Sequence, residues 1–262
     1  MSEDPLRRGI RQVLKAMRMR RQPLAEDIAQ EAREAKVSLE TNMACIAQIS
    51  IPKQSERHRV AFQLLRASMD YGRALLFLLE THPVDLSTVA LAMHRSQIEQ
   101  FMRAVFVQFL SNDDQFRDFL EEDMGPRRKS LKGKWASIPF KNLALDVEAA
   151  IAHMGHDDGP QKFARTVSNS WDPLCGLVHG GRAIWALYQS PDGKIGANVP
   201  AEILFQATVN AVVTSKLCLI AALTAVGVSA FEDSELVERG AGEMMRYMRQ
   251  RASRLNELAL KP

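Results

Sequence analysis

In the stretch HRSQIEQFMRAVFVQFL, residues 94–110, Arg95, Glu99 and Arg103 stand four residues apart. On a helix that spacing turns each side chain about 40° from the last, so the three form a ladder of alternating charge. Leu91, Ile98, Met102, Phe106 and Phe109 fall within about 60° of Arg95 on the same wheel. The ladder therefore starts in the apolar face and runs toward its edge. A guanidinium taken out of water is costly unless paired and hydrogen-bonded, and Glu99 is the nearest partner. Two chemistries fit such a group. It can be an internal ion pair or a cap on a neighbouring helix, or it can be a pocket in which Arg95 holds a phosphate and Glu99 orients it.

A second candidate is DPLCGLVHGGRAIW, residues 172–185. Asp172 and Pro173 suit the N-cap and first position of a helix, so the stretch predicts a helix over 173–189 in spite of its glycines. Leu174, Leu177, Val178, Ile184, Trp185 and Tyr188 gather on one side. Cys175, Gly176, Ala183 and Ala186 surround His179 on the other. Small residues beside a histidine leave room for a ligand or another backbone to approach, and the expected neighbour is the helix of Arg95. The ordinary alternative is a histidine serving only packing or the surface.

The elements that must position these residues are helical almost throughout. Apolar periodicity predicts helices at about 5–20, 24–49, 55–81, 85–110, 112–123, 141–154, 160–168, 173–189, 200–228 and 234–258, with Asp85 or Ser87 capping the fourth. Prolines fall at their starts or in the connections. Pro191-Asp192-Gly193 marks a turn, with a short hairpin possible over 188–200. With 46% apolar and 25% charged residues, and no repeat or linker, the chain reads as one all-α multi-helix domain over 1–262. The run 217–231 is too short to span a bilayer and reads as the end of a core helix, so no membrane role is expected. The C-terminal stretch from Glu243 reads as an amphipathic helix closing the bundle or forming a dimer interface.

A net charge of +3 is too small to imply nucleic-acid binding by itself, but the cations cluster. Residues 1–21 carry seven of them, and PRRKSLKGK, residues 126–134, holds five, including Arg127, Arg128 and Lys129. Each run reads either as a solvated surface or as an anion contact. Cys45, Cys175 and Cys218 lack metal or redox spacing, and no secretory segment opens the chain, which points to reduced thiols and a cytoplasmic location.

The segment HRSQIEQFMRAVFVQFLSNDDQFRDFL, followed by LCGLVHGG, resembles an uncharacterised bacterial branch of the HEPN superfamily over about 90–190. That group pairs an R-x3-E-x3-R helix with a later L…HGG helix. The resemblance implies a helical bundle, often dimeric, in a defence, toxin or abortive-infection setting. It further implies binding of RNA, or metal-independent cleavage without a cofactor. By that resemblance Arg95, Glu99 and His179 are the catalytic candidates, and Arg103, Arg127, Arg128, Lys129 and Arg182 the binding ones. The nuclease members carry Arg-x(4–6)-His on one helix, whereas positions 172–174 here are Asp, Pro and Leu. Arg95 must then supply the arginine from the other helix.

Two other readings stand beside it. One is a non-catalytic interaction or regulatory protein in which Arg95, Glu99 and His179 form an internal polar network. The other is a metal-dependent phosphohydrolase of the HD type, built on His156-Asp157 in HMGHDDGP with His153, His94 or His179 and Asp172.

Overall fold

Ile28, Ala32, Ala35, Leu39, Met43 and Ile46 recur every three or four residues, and they form the buried face of α1 (Ala25–Ile46). The computed structural model describes residues 25–50, 55–122, 125–129, 134–155, 161–189, 195–227 and 235–260. The helix expected at 5–20 and the basic run 1–21 lie outside these residues. After α1 come α2 (Glu56–Thr81) and α3 (Ser87–Val105), a pair joined by a short connection. The Ser55 side chain caps α2 by accepting the His58 backbone N–H at 3.2 Å.

The helix predicted over 85–110 is shorter. It leaves α geometry at Val105 and finishes in one π turn, Phe106–Leu110, in which the Ser111 N–H donates to the Phe106 carbonyl. Arg57 stabilises this end, Nη1 donating to the carbonyls of Val107 and Ser111 at 2.8 Å each. Neither Asp85 nor Ser87 caps α3. Leu86 holds the N-cap position, and the Ser87 hydroxyl turns back to donate to the Val84 carbonyl at 2.7 Å.

Next follow α4 (Asp113–Glu121) and a two-stranded antiparallel hairpin. Its strands are β1 (Arg127–Lys129) and β2 (Trp135–Ser137), with Lys129 opposite Trp135. Strands of three residues are too short to show alternation, so the pattern gave no sign of them. At the place where a hairpin was expected, Gln189 and Ile195 form an isolated antiparallel bridge, and residues 190–194 lie outside the described set.

The chain continues through α5 (Phe140–His153), α6 (Lys162–Val178), α7 (Arg182–Tyr188), α8 (Ala201–Ala225) and α9 (Glu235–Leu260). The prediction of separate helices at 160–168 and 173–189 is corrected twice. Pro173 lies inside α6, two residues after Trp171, whose ring packs against Arg95 of α3 and Phe140 of α5. The break comes instead at the glycines. His179 is the C-cap, Gly180 takes φ +71°, and the Gly181 N–H donates to the Gly176 carbonyl at 2.8 Å. This is a Schellman termination, and it needs a residue that tolerates the left-handed region. Gly180→Ala is expected to cost about 1 kcal/mol, read as a lowered urea midpoint at unchanged slope. No loss would mean that the turn relaxes freely.

The core lies among α1, α2, α3 and α8, with α5 and α6 laid against α3, and α9 laid against α1 and α8. Apolar all round and largely buried, α8 is a central helix. By length and composition it would also pass as a membrane span. Its Lys216 reaches out to donate to the Val237 carbonyl at 3.1 Å, and burial pulls the ammonium pKa down. A buried carboxylate ties α9 down. Glu31 accepts a hydrogen bond from the Tyr247 hydroxyl at 2.5 Å and pairs with Arg251 at 3.2 Å and with Arg254, which also meets Glu34.

Candidate functional site

On α3 the centre of the buried stripe is His94, Gln97 and Phe101. Arg95 stands about 100° round from His94, at the edge of that stripe and not in its middle. The wheel misplaced it because Ala90, His94, Gln97 and Ala104 are buried too, and small or polar residues do not announce a core face.

The ladder itself forms. Arg95 Nη1 meets Glu99 Oε2 at 2.9 Å, and Arg103 Nη2 meets Glu99 Oε1 at 2.8 Å. Arg95 also lies over the Trp171 ring, 4.7 Å from its centroid, and its Nε donates to Cys175 Sγ at 3.4 Å. The opposite side of Trp171 stacks on Phe140, the first residue of α5. Arg95 thus clamps α3 to α6, as the small residues near Cys175 led us to expect of its helix. Two arginines around one carboxylate leave an excess positive charge. With side chains still 18–29% exposed, each pair contributes on the order of 0.5 kcal/mol, and the aromatic contact a similar amount.

His179 is exposed at the end of α6, one helical turn beyond Cys175. Its backbone N–H donates to the Cys175 carbonyl at 3.0 Å. Among the described residues its ring has no hydrogen-bond or ionic partner, so neither Arg95 nor Glu99 sets its tautomer. Arg182, the first residue of α7, is exposed. On the hairpin, Arg128 pairs with Asp146 of α5 at 2.7 Å, and Lys129 lies over the Trp135 ring at 5.2 Å. The Arg127 side chain has no ionic partner among the described residues, while its carbonyl accepts from Gln115 at 2.6 Å. His156 and Asp157, the core of the metal reading, lie outside the described residues. Within them no three metal-ligating side chains cluster.

What the pattern missed is the other side of the α3–α6 contact. A cleft of about 50 Å³ lies between α3, α6 and α8, with apolar walls that include Phe101, Phe163 and Leu217. His94, only 3% exposed, lines it. The His94 Nδ1 faces Gln97 Oε1 at 3.1 Å, while the Gln97 amide donates from Nε2 to the Ala211 carbonyl at 3.0 Å. Gln97 therefore offers only its oxygen, and His94 must carry its proton on Nδ1. Nε2 is left as a buried acceptor with no partner. Burial pushes the His94 pKa down to about 4, against a smaller opposing effect of the Gln97 bond, so the ring is neutral at pH 7. The sequence signal is the His-x-x-Gln pair in the apolar stripe of α3, His94 standing one position before Arg95.

The profile of a family of unknown function (DUF6988) matches residues 65–236, about two thirds of the chain. The matched region runs from within α2 to the start of α9, and so contains the ladder, the hairpin and the cleft. No curated protein and no solved structure matches the chain.

Proposed function

The chain belongs to DUF6988, a family of unknown function, and from that premise we propose that it is a helical protein that binds RNA through its basic hairpin, without cutting it. The observation that carries this reading is the hairpin itself. Three consecutive cations, Arg127, Arg128 and Lys129, sit on one strand, and Trp135 lies directly across from Lys129 on the other. Cations beside an aromatic face are what single-stranded RNA takes, the cations meeting phosphates and the ring stacking on a base. The HEPN resemblance points to the same class of ligand.

Binding is favoured over cleavage because of how Arg95 is held. To polarise a phosphate for attack, Arg95 would have to leave Trp171 and Cys175, and His179 would need a partner to orient it. At the hairpin the rearrangement is smaller: Arg127 has no ionic partner among the described residues, the Arg128–Asp146 pair is exposed to water, and only Lys129 must move off the Trp135 ring for a base to stack there.

The test is fluorescence anisotropy with a labelled single-stranded RNA over a range of salt. Changing Arg127, Arg128 and Lys129 together to alanine is expected to weaken binding by about tenfold or more at low salt, and to flatten the log–log salt slope by about 2. No RNA binding by the wild type, or equal binding by the variant, would overturn the proposal. The RNA is expected to remain full-length. If it were cut, and His179→Ala stopped the cutting, the catalytic reading of Arg95, Glu99 and His179 would replace this one.

A further inference from the structure

We propose that the groove between α1 and α2 is a binding site for a free α-amino acid with an aromatic side chain, its carboxylate met by Arg73, its ammonium by Glu40 and its ring by Phe77. The inference uses none of the hairpin residues, so it stands or falls apart from RNA binding.

The two helices run antiparallel, since Arg33 and Lys36 of α1 meet Glu80 near the end of α2, while Leu39 lies against Gly72. Between them is a groove of about 400 Å³, lined by Lys36 and Glu40 from α1 and by Asp70, Arg73, Ala74 and Phe77 from α2. That is the size of a small-molecule site. Glu40 and Arg73 each follow a residue of the Leu39–Gly72 contact, so they stand at one level on opposite walls.

The charges that line the groove divide evenly, two cations and two anions, so a plain anion or a plain cation gains little there. A ligand that carries both signs gains from both walls. Two of the four charges are already committed, Lys36 to Glu80 and Asp70 to Arg66 at 3.0 Å. The other two are not. Glu40 has no partner among the described residues, and the one ionic contact of Arg73 there is Asp70 at 3.7 Å, beyond hydrogen-bond reach. Neither has to give up a hydrogen bond inside the protein to receive a ligand. Phe77, one helical turn from Arg73, is 54% exposed, and the short side chain of Ala74 leaves its ring open as a stacking face. An aromatic α-amino acid brings the three matching parts on one small frame.

The experiment is a ¹H–¹⁵N NMR titration of the full chain with L-phenylalanine, read at the backbone amides of Ala74 and Phe77. We expect saturable shifts with a dissociation constant on the order of 1 mM, because the site is open to water. Phenethylamine lacks the carboxylate, 3-phenylpropionate the ammonium and glycine the ring, and each should bind at least about tenfold more weakly. Arg73→Ala and Glu40→Ala alter exposed side chains, so the urea midpoint should stay in place while L-phenylalanine binding falls about tenfold in each. Arg73→Ala should leave phenethylamine binding as it was, and Glu40→Ala that of 3-phenylpropionate, which a general loosening of the helices would not do. No saturable shift, equal binding of the three analogues, or variants that bind like the wild type would overturn the proposal. So would self-association that Arg73→Ala abolishes, which would give the groove to a second copy of the chain.

Discussion

Replacing Glu31 with alanine is expected to destabilise the protein by about 3 kcal/mol, the magnitude found when one partner of a buried charge pair is removed. Glu31 has no exposed side-chain surface, and it holds together Arg251, Arg254 and the Tyr247 hydroxyl of α9. Without it, two guanidiniums that are 24% and 13% exposed lose their shared carboxylate, and the Tyr247 hydroxyl loses its closest acceptor. Burial, reinforced by Glu31, already drives the Tyr247 pKa far above its usual range, so the phenol cannot ionise to take over. Arg254→Ala should cost less. It leaves Glu31 with Arg251 and the Tyr247 hydroxyl, and Glu34, which Arg254 also meets, keeps the Gln30 amide as a donor at 2.7 Å. Equilibrium urea unfolding at pH 7 reads both. A loss below about 1 kcal/mol for Glu31→Ala would show that α9 is held mainly by its apolar contacts.

The second large effect is acid destabilisation through His94. Its pKa is about 4 in the folded protein and near 6.5 when the ring is released to water. Between those values the unfolded chain binds the proton and the folded one does not. Stability is thus fully kept above pH 6.5 and lost progressively as the pH falls toward 4. The loss through this group alone is about 2 kcal/mol at pH 5 and about 3 kcal/mol at pH 4. Carboxylates add slopes of their own, such as Glu80, whose pKa Lys36 and Arg33 lower. The comparison that isolates His94 is His94→Asn, which can still donate to Gln97 from the position of Nδ1. Urea midpoints at pH 7 and pH 5 should converge in the variant relative to the wild type. Parallel losses in both proteins would mean that His94 titrates normally and is not buried as described.

Together these two residues explain why so polar a set of helices packs in one way. Four of the long helices carry buried polar groups at their contacts: Glu31 and Asn42 on α1, Ser68 on α2, His94 and Gln97 on α3, and Thr208 and Ser215 on α8. Each contact is specific. Asn42 donates to Ser215 at 2.9 Å, and Ser68 donates to the Gln97 carbonyl at 2.8 Å. Gly72 of α2 leaves the space that Gln97 occupies, since a Cβ there would come within 2.5 Å of Nε2. A helix slipped by one residue would leave these groups buried and unpaired, which gives the bundle its register.

Periodicity alone was enough to determine the all-α class, most helix positions, the buried character of α8 and the Arg95–Glu99–Arg103 ladder, because these depend on spacing within one helix. The glycine pair after His179 was not legible in this way: the Asp172-Pro173 start signal and the apolar side predict one helix through 189, whereas Gly180 in the left-handed region ends α6. Only the tertiary structure decided which residue sits at the centre of the α3 face. His94 and Gln97 carry no apolar signal, and their burial depends on α6 and α8 arriving from 70 to 120 residues away. The same holds for Glu31, whose partners lie in a helix at the far end of the chain. A carboxylate in α1 looks like any surface charge until Tyr247, Arg251 and Arg254 are folded against it.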